Sequence, residues 1–407
     1  MANKKFDILI VGSGITGLSA ACAFKAMSLD VAIISASGLD LKEKSFTSER
    51  NFTIVESSRR FLDSVGIWKT LQNCNLGRYY NIKVWDSTSA NYLRLDVPPG
   101  FDGPMGWVVP ESVLIDTINS RVEDVARFYD LQSINDKQGT PITAKLANSE
   151  ELESELILFT DSSFPEIRQG LNLDFKPKPY EQLGIVLDIK TEKSHGNVAR
   201  QWFSKEGILA FLPKFDKDNS SVVFSVPKAQ GNAVLSYDLK EVSEYLSRNS
   251  KYALGEVQAS GSPKLFPLKR GIADSWIKER CLLAGGAAHV VHPLAGLGLN
   301  LSLMDVACLA ECLDPSKLDK SWPSLHKLNY YNRWRKSESA ALLASTEALF
   351  KFFLHPMFNF RKIRGELLKI FGKADFFKEK IVRLAMGLDG DLPSVAKLKR
   401  FGRKDSK

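Results

Sequence analysis

What this chain has little of narrows its function before any motif is read. Cysteine is scarce: Cys22, Cys74, Cys281, Cys308 and Cys312 are odd in number, show no CxxC spacing and fall mostly in apolar helix or strand patterns. They read as buried reduced thiols of a cytosolic chain, which excludes a disulfide framework and a thiolate metal centre. No run approaches the roughly 18 apolar residues that a membrane-spanning helix needs. Met1 to Phe6 is short and polar and leads straight into an apolar strand, so no leader peptide is expected. Internal repeats and low-complexity tracts are absent as well.

What is present is the composition of an ordinary globular protein. With 44% hydrophobic and 25% charged residues over 407 positions, the chain can bury a core in about two or three domains without staples. A net charge of +8 points to an anionic partner, either a dinucleotide, a lipid headgroup surface or nucleic acid. Nucleic acid is set aside, because the basic residues carry no interleaved aromatic platform or reading motif. Part of the excess lies in the tail, where Lys397, Lys399, Arg400, Arg403, Lys404 and Lys407 face only Asp405.

Along the chain, Phe6 to Val11 is a β-branched apolar run ending at Gly12, Ile15 to Met27 has the small and apolar residues of a buried helix, and Val31 to Ser35 is a second buried strand. Strand, glycine turn, helix and strand in that order open a doubly wound parallel sheet. Ser57 to Leu71 reads as one amphipathic helix, Ile82 to Trp85 and Tyr92 to Val97 as strands, and Glu111 to Arg127 as helical. Phe128 to Ile134, Ile142 to Ala147 and Leu156 to Thr160 read as strands returning to the first sheet. Residues 178–268 alternate in β-rich segments around a helix near Leu239 to Leu246, the pattern of an antiparallel sheet. Cys281 to Ala284 is a further strand, Leu299 to Cys312 a helix, and the chain from Ser324 is helical with a break at His355-Pro356.

The expected fold is therefore α/β: a Rossmann-like dinucleotide-binding domain from residues 1–75, 111–170 and 271–323, a substrate domain with an antiparallel sheet from 76–110 and 171–270, C-terminal helices over 324–390 and a basic tail over 391–407.

Two segments carry chemistry. Gly12-Ser13-Gly14-Ile15-Thr16-Gly17 is a GxGxxG in the required context: the first glycine makes the turn, the second admits a pyrophosphate and the third lets helix and strand pack closely. The amides opening the helix at Ile15, Thr16 and Gly17 would hold the diphosphate. On its own the motif does not separate NAD from FAD. The second segment runs from Cys281 to Cys312, CLLAGGAAHVVHPLAGLGLNLSLMDVACLAEC. A strand runs into Gly285-Gly286, a short stretch reaches Pro293, and Gly296, Gly298, Leu299 and Asn300 then open a long helix. Backbone amides at such a helix start face an anion, and a reduced flavin is a suitable one.

This second segment resembles the flavin-contacting motif of the ubiquinone-biosynthesis hydroxylases, a family of FAD-dependent aromatic monooxygenases. The match falls at Gly285, Ala287, Ala288, His289, His292, Pro293, Leu294, Ala295, Gly296, Gly298, Asn300 and Asp305. It extends over almost the whole chain: Arg50 resembles the family's flavin-side arginine, Gly106-Trp107-Val108-Val109 its next strand, Tyr180-Glu181-Gln182 the start of its substrate sheet, and Asn332 to Lys336 the start of its C-terminal helix. Three positions depart from the pattern. Ser35 stands where an acid normally meets the adenosine ribose, Gly286 where the family has an aspartate, and Ser162 where an Asp-Gly motif has its glycine, although Asp161 and Arg168 of that motif are kept. Asp40 is an alternative ribose acid.

The resemblance implies FAD as cofactor, NAD(P)H as co-substrate and hydroxylation by O2 of the aromatic ring of a polyprenylated phenol in ubiquinone biosynthesis. It leaves His289, His292 and Pro293 as candidate catalytic positions, with a structural helix-start role favoured for both histidines and no metal site. Two alternatives stay open: a non-catalytic or weakly FAD-binding paralogue of the same pathway, motivated by Ser35, Gly286 and Ser162, and a flavin-dependent reductase without oxygen transfer. The implied partners are an apolar phenolic or quinone-precursor substrate, a membrane surface and other ubiquinone-biosynthesis proteins. The basic, apolar stretch from Phe352 and Phe353 through Phe358, Phe360 and Phe371 to Leu384 fits either core packing or docking on an anionic bilayer. Two placements follow, cytoplasmic or peripheral on the inner face of a membrane.

Overall fold

A computed structural model describes residues 4–36, 50–86, 92–136, 141–293, 296–314, 322–354 and 375–397. The expectations for Asp40, Leu294, Ala295, the His355-Pro356 break, Phe358, Phe360, Phe371 and the tail beyond Lys397 fall outside these residues.

The first strand, Lys4–Val11, is buried from Ile8 to Val11, and its apolar side chains sit at the centre of an eight-stranded sheet. It runs parallel to Val31–Ser35 on one side and to Glu151–Phe159 on the other, and Glu151–Phe159 in turn runs parallel to Cys281–Leu283. Parallel strands buried on both faces are continuous apolar runs, which is why these segments read as such in the sequence. The arrangement brings the carboxyl ends of three strands together. Gly12, Thr160-Asp161 and Gly285 each follow one of those ends, and Thr160 N and Ala284 N continue the ladder onto Val11 O and Phe159 O at 2.9 Å each. In open sheets of this type the ligand crevice lies outside that edge.

A second eight-stranded sheet runs in the order His289–Val290, Val257–Ile272, Lys178–Thr191, Asn219–Pro227, Gly207–Pro213, Val198–Ser204, Asn81–Asp86 and Tyr92–Asp96. It is antiparallel except where Val198–Ser204 lies parallel to Asn81–Asp86. One face buries Trp202, Phe211 and Phe224 against helix Leu239–Asn249. That helix starts on a capping box made by Asp238 and Glu241. Pairing of Gly271 with Val290 and Ile272 with His289 joins this sheet to the second glycine segment. A small sheet of Asn51–Val55, Gly106–Pro110 and Gly77–Tyr79 lies between.

Helix Leu297–Leu313 packs on both the first helix, Ile15–Ala26, and helix Leu325–Leu354. Among the described residues no helix is long and apolar enough to cross a membrane.

Three local expectations need correction. The single helix over Ser57 to Leu71 is two, Glu56–Ser64 and Trp68–Leu71, because Gly66 adopts φ +77 and ends the first. The helix opening at Glu111 stops at Asn119 rather than reaching Arg127. The strand over Phe128 to Ile134 is two, Ala126–Tyr129 and Leu131–Asn135, divided at Asp130 with φ +57. An aspartate tolerates that left-handed geometry better than most residues.

Candidate functional site

The site is built on two helix starts that no side chain caps. Helix Ile15–Ala26 begins at Gly14, and its first turn carries neither a capping bond nor an acid. Helix Leu297–Leu313 begins at Gly296 in the left-handed region, φ +65, likewise without a cap or an acid in its first turn. Each start leaves backbone N–H groups that a buried protein interior must satisfy from elsewhere, and the helix dipole makes an anion the favoured partner.

Steric contacts around the glycines show what each one is for. A Cβ on Gly17 would overlap the carbonyl oxygen of Gly12, so this glycine lets the helix lie against the strand end. Gly12 has φ +119, and a side chain there would collide with Thr160 and Asp161. A Cβ on Gly14, by contrast, would meet nothing within 4 Å. The space over the first helix start is therefore open, as a bound diphosphate requires. Gly286 is exposed, and its nearest neighbour to a Cβ is Thr160 O at 3.6 Å, so an acid would fit where the chain has none.

Charge buried beneath the second glycine segment holds it in place. Asp305 is fully buried on the long helix and accepts from Gly285 N at 3.0 Å, His289 Nε2 at 2.6 Å and Arg335 Nε at 2.9 Å. Burial opposes ionisation of this carboxyl, but His289 and Arg335 outweigh it and hold its pKa below the ordinary carboxylate range. From the same helix Leu325–Leu354, Tyr331 donates its hydroxyl to Leu283 O at 2.8 Å. His289 thus braces the turn from behind. Asn300 is a second brace: its amide donates to Thr53 O and Gly296 O at 2.8 and 3.0 Å and accepts from Val55 N at 3.0 Å.

His292 and Pro293 lie on the other side of the turn, where they line a cavity of about 350 Å³. His292 Nε2 meets Gln182 Oε1 at 3.2 Å, and its ring packs edge-on against Tyr180. Burial pulls its pKa down to about 4. Tyr180 and Arg270 both bond Glu347, which ties helix Leu325–Leu354 to this corner. Arg50 and the glycines Gly296 and Gly298, with Leu299, complete the near wall of the cavity. Arg50 is exposed and lies 4.5 Å over the Phe52 ring. Its neighbour Asn51 reaches across to Asp188 at 3.2 Å and Ser221 at 3.1 Å on the second sheet, where Lys214 also bonds Asp188.

The remaining sequence-derived positions cluster at the strand ends. Asp161 accepts from Ser163 N at 2.8 Å beside Gly12. Arg168 is buried, and its Nε and Nη1 have no acceptor among the described residues. Burial lowers its pKa, with Asp161 and Asp174 opposing. Ser35 is buried at the end of its strand. Ile15, Thr16 and Gly17 form the first helix turn, with Thr16 against Gly285. The two glycine segments therefore meet each other, while Arg50, His292 and Pro293 stand apart at the cavity.

The pairing of Asp305 with Arg335, and the cavity positions Tyr79, Ser225 and Gln201, were not singled out from the sequence as parts of a site. Asp305 did carry a signal, since an acid inside the apolar run NLSLMDVACL must find a partner when the helix is buried.

A dinucleotide crevice at the edge of a parallel sheet, with a second uncapped helix start facing an apolar cavity, defines a flavoprotein oxidoreductase. Comparison with known proteins agrees: the family described as FAD binding domain matches residues 5–343, and the chain belongs to it. Its cofactor is FAD, and it is an FAD-dependent monooxygenase by class. Among curated relatives, the Rhodospirillum rubrum protein named ubiquinone hydroxylase UbiL is 29% identical over 86% of this chain and 82% of its own. The Escherichia coli 3-demethoxyubiquinol 3-hydroxylase is 25% identical over 95% of this chain and 100% of its own. The fold is similar to that of PqsL, described as a probable FAD-dependent monooxygenase from Pseudomonas aeruginosa, with TM-score 0.75 at 18% identity over 90% of this chain and 100% of that one. These likenesses do not favour a non-catalytic paralogue. The open space at Gly14 and at Gly286 fits a bound FAD despite the departures at Ser35, Gly286 and Ser162.

Proposed function

We propose that this monooxygenase hydroxylates the aromatic ring of a polyprenylated phenol in ubiquinone biosynthesis, using NAD(P)H as reductant and O2 as oxygen source. The observation that carries the reading is the cavity itself. It runs from Pro293 and the helix start at Gly296 to a largely aliphatic floor on the second sheet, so an apolar ring there lies against the place where a flavin fits. Its volume is within the roughly 300–1,000 Å³ usual for small-molecule sites.

When bound, FAD supplies the redox chemistry that activates dioxygen. This chain's residues do the rest. The amides of Ile15, Thr16 and Gly17 would hold the diphosphate, and those of Leu297, Gly298 and Leu299 would offer donors to negative charge on the reduced flavin. The Asp305, His289 and Arg335 cluster keeps Gly285 and Gly286 in position. His292, neutral at physiological pH because burial lowers its pKa, donates through Nε2 to Gln182 and adds no positive charge of its own to the cavity wall. The aliphatic floor excludes water from the reacting ring. The names of the curated relatives support the same substrate class.

The test is to supply ¹⁸O2, NADPH or NADH and a short-chain prenylated phenol to the FAD-loaded protein. One labelled oxygen atom in the ring product is the expected result. Reductant consumption without labelled product contradicts the reading and leaves a flavin reductase.

A further inference from the structure

The cavity floor is mostly apolar, with Ser225 and Gln201 as its polar side chains. Gln201 pairs with Ala210, Ala210 with Val223 and Val223 with Val186, so these four residues form one row across four strands, all facing the cavity. In the neighbouring row the Phe266 ring lies over Gly184, where any Cβ would meet it, and makes a side wall. The floor thus suits the face of an aromatic ring. Gln201 is half-buried at its end, and its carboxamide makes no hydrogen bond to a described residue. A polar group in such a position has a desolvation cost unless something in the cavity bonds it.

We infer that Gln201 is the specificity-determining contact for the ring oxygen of the substrate, and that it selects a neutral phenol over a carboxylated one. The inference rests on the phenol-hydroxylase reading and refines it. A carboxamide offers one acceptor oxygen and an NH2 donor, which match a phenol hydroxyl as both donor and acceptor. It carries no charge to offset a buried carboxylate. Arg200, the one guanidinium on the same strand, also borders the cavity, but strand alternation sends its side chain to the face opposite Gln201. Its Nη1 is already bonded to His195 O at 2.8 Å and Val198 O at 2.9 Å. The charged residues lining the cavity nearer solvent, Arg50 and Lys269, are both exposed.

The experiment is calorimetric titration of FAD-loaded wild type and Gln201→Leu with three ligands: a short-chain prenylated phenol, the same molecule without its hydroxyl, and the same phenol bearing a ring carboxylate. Wild type is expected to bind the phenol about tenfold or more tightly than Gln201→Leu does. The two proteins should bind the deoxy compound alike and take up FAD alike. The carboxylated phenol should bind wild type less well than the neutral one. Equal binding of the phenol by both proteins overturns the assignment, as does a parallel loss of FAD affinity in Gln201→Leu, which would make the residue a support of the cofactor site. Wild type that binds the deoxy compound and the phenol equally overturns the role of Gln201 alone. Wild type that binds none of the three overturns the phenol-hydroxylase reading with it.

Discussion

The two glycine segments do the same work by different means. At Gly12 to Gly17 the backbone is held by local packing: Gly17 exists because the Gly12 carbonyl needs its space, and every partner is within a few residues or on the adjacent strand end. At Gly285 to Asn300 the backbone is held from a distance. Gly285 hangs on Asp305, Asp305 on Arg335 of another helix, and Asn300 on Thr53 and Val55 of a different sheet. A turn that depends on close packing is broken by adding a methyl group, and one that depends on buried charge is broken by removing a partner.

The largest effect is expected at Asp305. Asp305→Ala leaves Arg335 and His289 buried without their acceptor, and loss of one partner of a buried pair costs about 3–5 kcal/mol. Urea denaturation should show that loss together with a loss of FAD binding. A loss below about 1 kcal/mol would mean that packing alone holds the second turn.

Next comes pH. His292 has an ordinary value near 6.5 unfolded and about 4 folded. Above pH 6.5 it is neutral in both states. As pH falls from 6.5 to 4 the unfolded chain takes up a proton that the folded chain refuses, so stability drops, by at most about 3 kcal/mol. Denaturation midpoints at pH 7 and pH 5 should differ less in His292→Gln than in wild type. Identical slopes would show that the imidazole is solvated.

At the first turn, Gly17→Ala should cost about 1–3 kcal/mol by overpacking, with FAD affinity reduced, as read by thermal unfolding and flavin titration. Unchanged values would show that helix and strand have room to part.

The smallest change in stability is expected for Gly286→Asp. The site accepts a Cβ at ordinary contact, so stability should change by less than about 0.5 kcal/mol. FAD affinity should rise about tenfold from one added charge-assisted hydrogen bond. Weaker binding of FAD by this variant would show that repulsion from the diphosphate dominates at Gly286.

The contrast between the turns also explains what could be read from the chain alone. The first turn was legible because strand, glycines and helix are contiguous, and steric need appears directly as Gly12, Gly14 and Gly17. The second was legible as a motif, but the reason for it was not, because Arg335 lies far along the chain from Gly285 and nothing in local periodicity pairs them. The helix break at Gly66 and the strand break at Asp130 were missed for a related cause: amphipathic spacing continues across both, and only the backbone geometry interrupts it. The cavity floor was hidden because a row across four strands depends on register, which alternation along one strand does not reveal.

The most direct test of the account is a crystal structure of the protein loaded with FAD. The diphosphate is expected on the amides of Ile15 to Gly17 and the ring edge on those of Leu297 to Leu299, with the ring walling the cavity whose floor carries Gln201. A flavin bound away from either helix start, or one that fills the cavity down to Gln201 and leaves no room for a phenol, would contradict it.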